Sequence, residues 1–250
     1  ADAEVFALFR EALSGLGLRA VTGDMGVLLA AIECLSTTEL RKVALRRHVW
    51  RPRRFRALLD RYTGRTPPPA GRAEMLDEVV QKGVHAVIDA AGVETGLRSR
   101  AEIAERIEKL RADAETPPIA AAEAEVLGAI LSLKAALPDA CEELWDMTVD
   151  MPGLTPAVER IAARMEALAQ AGIDPAALPF EASYGRTTME YYDGFVFGFL
   201  AEGRPDLPPV ASGGRYDALT AIMGQGRAIP AVGGVIRPEL VHDLRGGGRP

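Results

Sequence analysis

Two short stretches constrain this chain more than any others: Glu190-Tyr191-Tyr192-Asp193-Gly194-Phe195-Val196-Phe197-Gly198-Phe199 and Gly213-Gly214-Arg215-Tyr216-Asp217. Phe195, Phe197 and Phe199 alternate with Val196, Gly198 and Leu200, the two-residue period of a strand packed on one face. Asp193-Gly194 between strand-forming runs predicts a tight hairpin, because such a turn needs positive φ at its centre. On that strand Tyr191 and Tyr192 point to opposite faces, one toward the core and one toward a ligand. Gly213 and Gly214 lack side chains, which lets a backbone approach a ligand closely. Arg215 adds a forked cation suited to a carboxylate or a phosphate. These residues, with Tyr216, predict the floor and wall of a small-molecule pocket. A plainer role suits them too: strand core for the tyrosines, a surface ion pair for Arg215. Asp217 stands where the next helix begins, and is expected to cap it and hold Arg215.

The rest of the chain is ordinary for a globular protein, with 48% apolar and 26% charged residues among 250. A net charge of −6 gives no global attraction to nucleic acid or to an anionic membrane. Cys34 and Cys141 do not make a disulfide framework, which points to a reducing, cytoplasmic setting. No apolar run approaches the ~20 residues that span a bilayer, and no signal peptide is visible. The chain opens on Ala1 inside an amphipathic pattern, so a missing N-terminal portion is expected.

In chain order, Val5, Phe6, Leu8, Phe9, Leu13 and Leu16 repeat at helical spacing, and Gly15 and Gly17 end that helix. Leu18 to Val21 predicts a short strand. Asp24 is placed to cap a following helix, and Thr37-Thr38-Glu39-Leu40 reads as another helix start. Residues 41–56 are densely basic. The run serves as a solvated helical face, or as a docking surface for an acidic partner or a polyphosphate built from Arg46, Arg47, Trp50, Arg53 and Arg54. Residues 66–71 hold three prolines and predict a loop. From there to about residue 171 the pattern is helical, with Ile103-Ile107-Leu110, Val126-Ile130-Leu133 and Val158-Ile161-Met165-Leu168 as stripes. Strand character returns over 180–184, 190–200 and 210–214, joined by turns, which favours an antiparallel sheet. Tyr216 to Met223 predicts a helix, and Ala231 to Ile236 a last buried strand.

His48, His85 and His242 lie far apart without ligand-spaced neighbours, so no metal site is expected. No Walker loop and no nucleophile elbow is present, and no cofactor is expected. Chemistry would have to come from the two opening motifs.

Those motifs resemble a known family. Tyr191-Tyr192-x-Gly194, then Gly213-Gly214-Arg215-Tyr216-Asp217, then Pro230-Ala231-Val232-Gly233, are similar to the histidine-recognition motifs and third class motif of histidyl-tRNA synthetase. Gly23-Asp24-Met25-Gly26-Val27-Leu28-Leu29 resembles the segment after motif 2 in that superfamily. The likeness is dense from Phe180 to Glu239. It implies an α+β fold: the antiparallel sheet of class II aminoacyl-tRNA synthetases with flanking helices and a helical insertion. On that fold, 1–36 belongs to the core, 37–171 is mostly insertion, 172–245 carries the sheet and histidine-type motifs, and 246–250 is a loose tail.

The departures from the family are at its cations. A synthetase carries an arginine four residues before the first tyrosine of the pair; here Thr187 stands there, with Arg186 displaced by one. The synthetase's third motif ends G-[LM]-E-R, whereas this chain has Gly233-Gly234-Val235-Ile236, with Arg237 one residue late. Such a cation stabilises the charge that amino-acid activation develops. Few residues follow Leu244, so no anticodon-binding domain and no tRNA partner are expected. This combination resembles the synthetase-like regulatory subunits of ATP phosphoribosyltransferase. The resemblance implies no independent catalysis, a partnership with the short catalytic subunit, self-association, and feedback by histidine bound near Tyr191, Tyr192, Gly213, Gly214, Arg215 and Tyr216. Two alternatives remain open: a divergent histidyl-tRNA synthetase or amino-acid-activating enzyme using Arg186 or Arg237, and a stand-alone amino-acid sensor.

Overall fold

Gly15 and Gly17 take positive φ values of 78° and 62°, and there the first helix gives way to the first strand. In this computed structural model the chain runs through α1 (Asp2–Ala12), β1 (Leu18–Asp24) and α2 (Met25–Cys34). Next come α3 (Glu39–Arg47), α4 (Pro52–Tyr62), α5 (Arg72–Lys82), α6 (Val84–Ala90) and α7 (Arg100–Glu115). Then follow α8 (Ala121–Ser132), β2 (Lys134–Ala136), α9 (Leu137–Asp150) and α10 (Thr155–Gln170). The chain closes with β3 (Pro179–Glu181), β4 (Phe195–Ala201), β5 (Ala211–Arg215), α11 (Asp217–Met223), β6 (Val232–Ile236) and α12 (Pro238–Leu244). The structure describes every residue except 94, 188, 226, 228 and 247–250, and only the backbone of Thr187. The expected loose tail therefore falls, beyond Gly246, outside the described residues.

The chain divides into two compact units. One comprises Ala1–Cys34, Val49–Pro52 and Glu125–Pro250; the other comprises Leu35–His48 and Arg53–Ala124. The helical unit thus ends at Ala124, whereas the helical pattern predicted an insertion reaching 171. Helix α10 carries buried Val158, Ile161 and Leu168, and this stripe packs within the sheet unit.

The sheet unit holds six strands in the order β2-β3-β1-β4-β5-β6. Neighbours are antiparallel except β1 and β3, which run parallel with Thr22 opposite Phe180. The phenylalanine period of β4 works as expected: Phe195, Phe197 and Phe199 are all buried. Phe6 of α1 stacks on Phe199 at 5.3 Å and meets Phe197 edge-on at 5.6 Å, while Phe9 meets Phe197 at 5.2 Å. Burying such rings contributes roughly 2–3 kcal/mol each. Helix α2 follows β1 without a break and buries Met25, Val27, Leu28, Ala31 and Ile32, so its apolar run is core.

Three expected features came out differently. Residues 190–194 are not strand, and Asp193-Gly194 is not a hairpin; the segment leads into β4, and Asp193 N–H donates to the Arg215 carbonyl at 3.0 Å. Both edges of β4 are taken, by β1 and β5, and the residues just before the turn are not strand, so the hairpin has no partner. The last strand is not buried either: β6 forms a sheet edge, with Val235 and Ile236 exposed. Finally, 180–184 forms only a short strand before a 3₁₀ turn at Tyr184–Thr187.

In the helical unit, Val79, Ile88 and Ile107 form a small core from α5, α6 and α7. Arg41 of α3 is buried and bonded to the Asp113 carboxylate at 2.6 Å and to the carbonyls of Asp113, Thr116 and Pro117. A guanidinium with four acceptors can be buried because its donors are satisfied. Ser99 and Glu102 form a reciprocal capping box at the start of α7.

Candidate functional site

At the end of β5 the chain turns into α11, and the loop before β4 lies beside that turn. Tyr191, Tyr192 and Tyr216 meet there, with ring centroids 4.8 Å apart for Tyr191–Tyr192, 5.7 Å for Tyr191–Tyr216 and 6.5 Å for Tyr192–Tyr216. The two adjacent tyrosines lie side by side rather than on opposite faces, because they sit in the loop and not on the strand. Tyr192 is buried and Tyr191 half-buried. Burial, and then the neighbouring Tyr191 phenol, push the Tyr192 pKa up, so it stays a neutral hydroxyl.

The two glycines of β5 serve different faces. A side chain at Gly214 would stand 2.8 Å from the Tyr192 ring and 2.9 Å from Val196. Gly213 turns the other way, and a side chain there would overlap the Phe197 ring. Gly214 therefore belongs to the tyrosine cluster and Gly213 to the phenylalanine layer. Both make room for aromatic rings of this chain, where sequence reasoning expected them to make room for a ligand.

Arg215 is held on both sides. Its Nε and Nη2 donate to Asp2 Oδ1 at 2.9 and 2.5 Å, and its Nη1 donates to both Asp217 oxygens at 3.0 and 3.1 Å. Asp2 also accepts from Arg164 Nη1 at 3.1 Å, and Arg164 pairs with buried Asp24. The Arg164 guanidinium lies 4.5 Å over the Phe195 ring. Charges therefore alternate through Asp217, Arg215, Asp2, Arg164 and buried Asp24; the first four line a cavity of about 380 Å³ together with Arg160 and Phe195.

Asp217 does not cap its own helix. Its Oδ1 accepts from the Ala231 N–H at 2.7 Å, tying α11 to the approach of β6. The cap is Asp193, whose carboxylate accepts from the N–H groups of Asp217 and Ala218. Burial pushes the Asp193 carboxyl up, against these amide bonds, which favour its ionised form. Asp24 likewise accepts from the Gly26 N–H at 2.7 Å at the head of α2, as its sequence position predicted.

The two arginines that could replace the synthetase cations are engaged elsewhere. Arg186 is buried, and its Nε donates to the Val49 carbonyl at 2.6 Å. Arg237 donates to the Pro209 carbonyl. In the strand register Val232 faces Arg215 and Ile236 faces Ala211, so Arg237 follows the end of β6 remote from the tyrosines. Four residues of strand separate the two ends by roughly 13 Å.

Sequence reasoning missed Asp2, Asp24, Arg164 and Asp193 as partners of this site, and Tyr184 as the ring that covers Gly198 of β4. Gly198 carried a usable signal for Tyr184, since glycine inside a strand marks a close approach. Arg46 pairs with Glu39, Arg47, Arg53 and Arg54 are exposed on the helical unit, and Trp50 belongs to the sheet unit. Among the described residues no helix is long and apolar enough to cross a membrane.

Residues 16–241 match the family model described as histidyl-tRNA synthetase. An ATP phosphoribosyltransferase regulatory subunit of Brucella anthropi is 28% identical over 240 residues, covering 92% of this chain and 63% of that protein. The protein of the same name from Brucella canis is 28% identical over 238 residues, with the same coverage. The chain thus spans somewhat under two thirds of the length of these relatives. Two crystal structures share the fold. One is an ATP phosphoribosyltransferase regulatory subunit/histidyl-tRNA synthetase from Bacillus halodurans, with a TM-score of 0.58, 20% identity, and 97% of this chain and 49% of that one covered. The other is histidyl-tRNA synthetase from Nostoc sp. PCC 7120, with a TM-score of 0.55, 15% identity, and 98% and 46% covered.

Proposed function

We propose that this chain, which belongs to the histidyl-tRNA synthetase family, serves as the non-catalytic regulatory subunit of ATP phosphoribosyltransferase, the first enzyme of histidine biosynthesis. One observation carries the reading: each of the two arginines nearest the family's activating positions donates to a carbonyl of this chain's own backbone. Arg186 serves Val49 and Arg237 serves Pro209, while Arg215 is neutralised by Asp2 and Asp217. Amino-acid activation needs preorganised cations at the reacting phosphates. The 28%-identical relatives that carry the regulatory-subunit name support the same reading.

On this reading the protein works in the cytoplasm, self-associates, and assembles with the short catalytic subunit that it activates. Histidine, the end product, binds against Tyr191, Tyr192 and Tyr216 and feeds back on the complex. The test mixes the full-length protein with a short-form transferase and assays phosphoribosyl transfer with and without histidine. Activation in trans supports the reading; histidine-dependent ATP–pyrophosphate exchange by the protein alone overturns it. The intact tyrosine cluster favours one second reading, a histidine-activating enzyme, and the exchange assay decides between the two.

A further inference from the structure

The helical unit contains a cavity of about 320 Å³ between α3, α4 and α7, near the start of α5. Five permanent cations line it, Arg47, Arg61, Arg72, Arg106 and Lys109, against a single carboxylate, Asp113. That carboxylate is already committed: Arg41 takes it at 2.6 Å and Arg72 approaches it at 3.8 Å. Lys109 pairs outward with Glu105 at 2.6 Å. Arg47, Arg61 and Arg106 have no carboxylate partner among the described residues, and the Nε of Arg61 is buried with no hydrogen-bond acceptor.

Arg47, Arg106 and Lys109 are exposed and Arg61 is half-buried, so like charges gather around this opening with one carboxylate among them; like charges repel, and a buried N–H without an acceptor costs roughly 1–3 kcal/mol. A multiply charged oxyanion in the cavity relieves the like-charge repulsion. Guanidinium forks match phosphoryl oxygens in pairs, which a lone carboxylate cannot do for three arginines at once. The volume exceeds what a bare phosphate fills. The remaining wall is apolar and aromatic, from Leu40, Val43, Leu110 and Tyr62. The ligand that fits has a phosphoryl head and a flat or apolar body.

We propose that this cavity is a binding site for a small organic phosphate of the nucleoside monophosphate class, recognised by Arg47, Arg61 and Arg106. The site is separate from the tyrosine cluster and does not depend on the regulatory-subunit reading.

The test is calorimetric titration of the whole protein at low salt with inorganic pyrophosphate, adenosine monophosphate and adenosine. Arg47→Gln and Arg106→Gln are compared with Arg54→Gln, an equally exposed arginine that does not line the cavity, after circular dichroism has confirmed that each variant folds. Adenosine monophosphate is expected to bind with a Kd below 1 mM and more tightly than pyrophosphate, and adenosine not to bind. Each cavity variant is expected to weaken the monophosphate about tenfold, with Arg54→Gln unchanged. The proposal is overturned if neither phosphate binds, if the cavity variants bind as well as the parent, or if Arg54→Gln weakens binding equally. It is also overturned if an RNA oligomer or an acidic peptide binds at these arginines while both small phosphates stay inert.

Discussion

The hydroxyl of Tyr184 fills the space that a side chain at Gly198 would need. The tyrosine comes from the 3₁₀ turn after β3 and the glycine from the middle of β4, so protein rather than solvent covers the sheet there. The hydroxyl is buried and has no hydrogen-bond partner among the described residues. Gly198→Ala is expected to displace the ring and cost about 1–3 kcal/mol, as overpacking does. Tyr184→Phe removes the unpaired hydroxyl and keeps the ring, so it is expected to be neutral or stabilising by about 1 kcal/mol. Urea unfolding of both variants checks the pair, and a Phe variant weaker by more than ~1 kcal/mol would contradict it.

The same tyrosine sets an alkaline limit. Burial, and then the charge of Glu181, push its pKa from 10.0 up to about 12. The folded protein therefore holds the phenolic proton longer than the unfolded chain does. This contribution is complete below pH 10 and is lost as pH rises toward 12, by roughly 2–3 kcal/mol. Stability measured against pH across that window should fall less steeply in Tyr184→Phe than in the parent protein.

Arg164 lies between two carboxylates, Asp2 and Asp24, and both it and Asp24 are buried. Removing the cation leaves Asp24 charged and unpaired inside the protein. Arg164→Ala is expected to cost about 3–5 kcal/mol, a far larger loss than an exposed pair such as Arg204–Asp206 would give. Denaturation of Arg164→Ala beside Arg204→Ala measures the contrast, and equal losses would count against it.

Asp193 caps α11 from another segment. Asp193→Ala is expected to cost about 1–2 kcal/mol. It should also speed hydrogen exchange at the amides of Asp217 and Ala218, the two donors it serves. Unchanged protection at these amides would show that the cap is dispensable.

Tyr191 is the half-buried member of its cluster and the one to test for ligand contact. If the cluster walls histidine, Tyr191→Ala lowers histidine affinity at least tenfold while the unfolding midpoint moves little. Titration calorimetry with an unchanged Kd would assign the ring to packing alone.

Local signals were readable wherever one element decided them. The helical stripes through Ile107, Ile130 and Ile161 gave helices α7, α8 and α10, and the phenylalanine period gave β4. Asp24 stood at a helix start and proved to be its cap. The Asp193-Gly194 signal failed because a hairpin needs a free strand edge beside it, and β1 and β5 occupy both edges of β4. The split into units failed at 125–171 for a similar reason: a stripe such as Val158-Ile161-Leu168 says that a face is buried, but not against what.

Residue order alone determined the element types, the sheet-forming end of the chain and the two motifs that carry the family likeness. Those depend on spacing and backbone preference, which act within a few residues. Tertiary structure decided that Gly213 and Gly214 face opposite layers, that Asp2 neutralises Arg215 across 213 positions, and that Arg186 spends itself on Val49. Those outcomes depend on which distant groups packing brings within hydrogen-bond reach, and no pattern of neighbours in sequence encodes that distance.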